Sequence, residues 1–172
     1  MAFLDRGATR RAHYLGTFVF GVEDSLVSTV GLLSGIAIAG VSQRTILVSG
    51  IILVLVEAFS MAVGSFLAEH SEEDYLNKRE MPLGNSVADG AIMFFSYFAS
   101  GFIPLFPYAV FAEALAFRVS VAMSLFALFF LGAVGARLSH TGIVRNGFRM
   151  AAIGGIAIMV GILVGIITRS IL

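Results

Sequence analysis

Apolar residues in this chain run on for far longer than the stripes and alternations of a soluble fold. Residues 25–43, 90–112, 119–136 and 150–168 contain no Asp, Glu, Lys or Arg, and residues 45–68 are interrupted only by Glu57. A helix needs about 20 apolar residues to cross a bilayer. The pattern therefore predicts five transmembrane helices, at about 14–40, 45–68, 89–112, 118–138 and 147–169. The first extends upstream past Glu23 and Asp24 to Tyr14, which places that acidic pair inside the span. The longest connection, 69–88, carries most of the acidic charge. Its first half has no Gly or Pro, so helix two is expected to continue past the membrane surface to about Arg79. Pro82, Gly84 and Asn85 then break it before helix three. Within helix three, Pro104 and Pro107 each remove a backbone donor, and the helix is expected to kink or end there.

Composition agrees with this reading. Hydrophobic residues make up 58% of the 172 and charged residues 13%, against about 45–50% and about 25% in soluble domains. Mean hydropathy is +0.95. The chain reads as a single all-α transmembrane domain over 1–172. A formal net charge of zero leaves no basic excess for nucleic acid, and the absence of Cys excludes disulfides and thiolate chemistry. There is no nucleotide-binding Gly loop, HExxH or GxSxG, so neither enzyme chemistry nor a cofactor is expected. The N-terminus lacks a small-residue cleavage site after a short apolar core, which argues against a removable signal peptide.

Basic residues set the expected orientation. With a cytoplasmic N-terminus the inner segments hold Arg6, Arg10, Arg11, Lys78, Arg79, Arg137, Arg145 and Arg149, and the outer ones only Arg44, Arg118 and Arg169. That distribution favours N-in and puts segment 69–88 in the cytoplasm. Tyr14 and Tyr108 are candidate interfacial anchors. Gly31 and Gly35 form GxxxG, as do Gly161 and Gly165, a spacing that permits close helix contact either within one subunit or between two.

Ionisable groups inside a span are costly and usually face an interior or a watery path. Glu23, Asp24 and Glu57 lie inside predicted helices one and two, with no basic residue at comparable depth. They must be protonated, hydrated or bound to a cation. At about 100° per residue, Thr17, Gly21, Asp24, Ser28, Gly31 and Gly35 share one small, polar stripe of helix one. Glu57, Met61, Gly64, Ala68 and Glu72 line up on helix two. A carboxylate and a thioether one turn apart suit a transition metal, the oxygen serving hard ions and the sulfur softer ones. The alternative for Met61 is core filler. Glu23 sits about 100° from Asp24 and cannot share its narrow path. Beyond the membrane, Glu69, Glu73 and Glu80 fall in one arc if the helix continues, with Glu72 beside them. That cluster can gather divalent cations or merely keep an exposed helix soluble. His13, His70 and His140 fall near membrane boundaries, where an interfacial imidazole is the ordinary reading.

The segments GVEDSLVSTVGLLSGIAIAG and SGIILVLVEAFSMAVGSFLAEHSEEDY resemble the first two helices of the vacuolar iron transporter family. FASGFIPLFPY is similar to its third helix, with the Pro pair before Tyr, and GFRMAAIGGIAIMVGILVG to its fifth. The resemblance implies a five-helix subunit that forms a homodimer, with an ion path between the two copies of helix one. It also implies movement of Fe²⁺ or Mn²⁺ out of the cytoplasm in exchange for protons. The family's helix-one Asp matches Asp24 and its helix-two Met matches Met61. Ser25 stands where a Gly commonly follows that Asp. Plant-type members carry a long cytoplasmic metal-binding insert; the segment here is too short to build one, and Glu69, Glu72, Glu73 and Glu80 would be its reduced counterpart. A short chain of this kind resembles prokaryotic plasma-membrane members. The expected partners are metal ions, protons, the lipid bilayer and a second copy. Two rivals remain: a transporter or channel for another cation, and a non-transporting membrane scaffold assembled through its Gly stripes.

Overall fold

The computed structural model describes residues 6–80 and 82–171 and contains five helices. These are α1 (Arg6–Ile38), α2 (Gln43–Asn77), α3 (Gly84–Val110), α4 (Glu113–Leu138) and α5 (Ile143–Ile171). All five are long and apolar enough to cross a membrane, and the chain is a multi-pass membrane protein.

Every helix is at least as long as its apolar run at one end or the other, because backbone hydrogen bonding continues where hydropathy stops. α1 starts at Arg6 rather than Tyr14, and α4 and α5 start at Glu113 and Ile143. Gly84 and Asn85, expected to break the chain, are the first residues of α3. Ser42 caps α2, its hydroxyl accepting from the Thr45 amide. The other end of α2 closes at Asn77, where Lys78 turns left-handed at φ 51.

The helix does not end at Pro104 or Pro107. α3 runs through both to Val110, and both prolines are fully buried. Neighbouring helices supply donors to this stretch: the Ser120 hydroxyl donates to Pro104 O at 2.6 Å. The Gln43 amide donates to Tyr108 O at 2.5 Å and Phe111 O at 2.8 Å. These bonds serve carbonyls at and beyond the prolines and close the end of α3; the carbonyls that lose an amide partner to the two rings are those of Ser100 and Ile103. Tyr108 is not an interfacial anchor either. It is completely buried, in a cluster with Leu33, Ile46, Leu105 and Ala116.

Both GxxxG pairs are consumed inside the subunit. A Cβ on Gly35 would stand 2.8 Å from Gly161 O, and one on Gly165 would overlap Gly35 O. α1 and α5 thus meet backbone to backbone. The helix-one stripe is packed along most of its length: Gly21 abuts Met93 and Ser96 of α3, and Gly31 abuts Ala157 of α5.

Candidate functional site

α1 and α3 run parallel in a fixed register. Thr17 bonds Asp89 and Ser25 bonds the Tyr97 carbonyl, each pair 72 residues apart. α2 runs antiparallel beside them, so Ser65 faces the Thr17–Asp89 level and Val54 the level of Gly101 and Ser25. This register creates two polar stations along one line.

The inner station lies between α1 and α2 at the depth of Ser25. Asp24 and Glu57 stand close enough for their charges to act on each other, and both act on the Tyr97 hydroxyl. Tyr97 is fully buried, and its hydroxyl shares a 2.7 Å hydrogen bond with Ser28 Oγ. The Ser28 and Tyr97 hydroxyls meet here, with the Asp24 and Glu57 carboxylates in electrostatic range. All are oxygen donors of the kind hard divalent ions take.

The outer station lies about 10 Å away along α1, seven residues at 1.5 Å each. Asp89 is almost wholly buried. Its Oδ1 accepts from the Thr17 hydroxyl at 2.6 Å, and its Oδ2 from the Ser65 hydroxyl. His13 Nε2 lies 3.2 Å from Asp89 Oδ1 and 3.1 Å from Glu69 Oε2. These side chains line a cavity of about 690 Å³ together with Met61, Gly64, Ala68, Glu72 and Met93. No Lys or Arg is among its lining residues.

The helix-two stripe is therefore a cavity wall. Met61, Gly64, Ala68 and Glu72 all border it, whereas Glu57, one turn from Met61, is not among its lining residues. Of the acidic cluster beyond the span, Glu69 turns into the cavity and Glu72 edges it. Glu73 instead accepts from the Asn85 amide at 2.6 Å. Glu80 lies beyond the end of α2 and is exposed, so the single arc joining Glu69, Glu73 and Glu80 is not formed. Glu23 faces away from Asp24, into a separate cleft of about 450 Å³ shared with Arg149, Asn146 and Thr141. His70 sits 3.6 Å from Asp74. Among the described residues no group of three or more His, Asp or Glu side chains is arranged to hold a metal ion.

Asp89, His13 and Tyr97 are absent from the sequence-derived candidates. Asp89 stood at the edge of an apolar run, where an acid reads as a boundary. The available signal was its position directly before the charge-free residues 90–112.

A model of the VIT family matches residues 15–82 and 76–166. The chain belongs to the VIT family. It is 30% identical over 167 residues to vacuolar iron transporter homolog 1 of Oryza sativa subsp. japonica, covering 87% of this chain and 72% of that protein. It is 30% identical to homolog 5 of the same organism, covering 87% of this chain and 77% of that protein. Vacuolar iron transporter homolog 2 of Arabidopsis thaliana is 27% identical, with 88% and 83% covered. The VIT family match spans α1 and α2, the two helices that carry Asp24, Glu57 and Met61.

Proposed function

We propose that this VIT family protein is a homodimeric secondary transporter that moves Fe²⁺ or Mn²⁺ out of the cytoplasm in exchange for protons. The observation that carries the reading is the placement of Asp24 and Glu57 within the apolar spans of α1 and α2, in electrostatic range of each other. Two carboxylates without a basic partner at that depth form a cation station. Met61, one turn from Glu57, adds a soft donor that favours transition metals over Mg²⁺ or Ca²⁺. In the cycle, Asp24 and Glu57 hold the ion as carboxylates and take up protons once it leaves. The chain's relatives in Oryza sativa subsp. japonica and Arabidopsis thaliana are named vacuolar iron transporter homologs, which is consistent with this cargo.

The dimer is supported by the placement of the cavity. Ser60, Gly64, Ala68 and Glu72 are exposed on the flank of the single chain, where lipid would otherwise meet polar groups. A second copy set against α1 and α2 shields that flank and completes the path. Basic-residue placement supports a cytoplasmic N-terminus, with the outer station opening to the cytoplasm, and the short segment 69–88 favours a plasma-membrane member.

Uptake of Fe²⁺ and Mn²⁺ by proteoliposomes under an imposed pH gradient tests this. Wild type should transport both ions with counter-movement of protons, and Asp24→Asn should abolish transport. Transport of another cation without proton coupling would favour a channel. A complete absence of metal transport would leave the scaffold reading.

A further inference from the structure

We propose that the cleft between α1, α4 and α5 holds the headgroup of a membrane phospholipid of the phosphatidylethanolamine class, with its phosphate on Arg149 and its ammonium on Glu23. The site is independent of the transport reading. Residues 150–168 carry no charge, and Arg169 closes that run. At 1.5 Å per residue, Arg149 and Arg169 of α5 stand about 30 Å apart, one hydrocarbon thickness. Arg149 therefore lies at the boundary between acyl chains and headgroups. α1 and α5 run parallel, since a Cβ on Gly31 meets Ala157 and one on Gly35 meets Gly161. Carried back about two turns, that register sets Glu23 at the level of Arg149.

Both charges line one cleft of about 450 Å³, an ordinary size for a small-molecule site. Among the described residues they form no ion pair with each other. A carboxylate and a guanidinium thus share the space without meeting. The Asn146 amide is already committed, donating to Thr141 Oγ1 and to Gly142 O, each at 3.1 Å. Asp24, one residue on from Glu23, faces Glu57 of α2 instead. Arg149 is exposed, as are Ser139 and Thr141 at the α4–α5 turn, so the cleft is open at the headgroup level. A headgroup that carries an anion and a cation on one short link fits two opposite charges held apart. The guanidinium takes phosphate through paired N–H donors. The carboxylate takes a primary ammonium through charge-assisted hydrogen bonds. The trimethylammonium of phosphatidylcholine has no N–H to give. Phosphatidylglycerol would bring a net negative headgroup against Glu23.

Native mass spectrometry of the full-length protein in detergent, titrated with dioleoyl lipids, tests this. Phosphatidylethanolamine should bind wild type about tenfold more tightly than phosphatidylcholine or phosphatidylglycerol, the strength of one charge-assisted hydrogen bond. Arg149→Gln should lose that binding. Glu23→Gln should erase the preference and bring phosphatidylglycerol level with phosphatidylethanolamine. Gly135→Leu leaves both charges in place and fills the space between them: Gly135 lines the cleft, and a Cβ there meets nothing within 4 Å. It should block the lipid while its melting temperature in lipid-free detergent stays that of wild type. Glycerophosphoethanolamine, the same headgroup without acyl chains, should not compete at equal concentration. If it binds as tightly as the lipid, the occupant is a soluble ester and the proposal falls. Equal binding of the three lipids by wild type, or a preference that survives Glu23→Gln or Gly135→Leu, would overturn it as well.

Discussion

Gly161 of α5 lies directly against the backbone of Gly31 in α1, so closely that a Cβ on Gly161 would overlap the Gly31 carbonyl oxygen. Neither side of this contact has a flexible atom that can move aside. Gly161→Ala should therefore push α1 and α5 apart, at a cost of about 1–3 kcal/mol. Thermal unfolding in detergent measures this. Gly155→Ala is the matched control, because a Cβ there meets nothing within 4 Å, and its melting temperature should match that of wild type.

Gly64 gives the opposite outcome. A Cβ at this position also meets nothing within 4 Å, and the residue borders the cavity. Gly64→Leu should fill that space and reduce metal transport at least about tenfold while leaving the melting temperature within a few degrees of wild type. Equal loss of stability and transport would show that Gly64 is a packing residue.

Tyr97→Phe keeps the buried ring and deletes the hydroxyl that meets Ser28 beside Asp24 and Glu57. Losing one hydrogen bond costs about 1 kcal/mol of stability. If the phenol contacts the ion, the transport rate should fall by more than that small destabilisation explains. Proteoliposome uptake compared with thermal stability separates the two effects.

Met61→Ala tests softness. Fe²⁺ transport should fall more than any residual Mg²⁺ transport, because only the softer ion gains from sulfur. Equal reductions for both ions would remove Met61 from selection and return it to the role of a cavity wall.

What was legible in the sequence was what a single helix can encode. The Glu57–Met61–Gly64–Ala68–Glu72 stripe depends only on helical periodicity, and the structure keeps it together. The helix-one stripe obeyed the same arithmetic yet faces three environments: α3 at Thr17 and Gly21, α2 at Asp24, and α5 at Gly31 and Gly35. Periodicity gives a direction around one axis and says nothing of which neighbour lies there. Asp89 and Tyr97 were missed for the same reason. Their meeting with Thr17 and Ser28 depends on the register between α1 and α3, which no local pattern records. The prolines misled because a missing amide is visible in sequence, whereas the burial of both rings among other helices is a tertiary fact. Helix ends were misplaced because hydropathy marks where lipid stops, and backbone hydrogen bonds continue in water.

The closure of α1 on α5 also has a genetic consequence. Since Gly31 and Gly35 meet glycines of their own chain, a lesion at Gly31 acts in cis. A wild-type copy expressed alongside cannot repair that polypeptide, and second-site revertants should fall around Ala157 and Gly161 of the same chain.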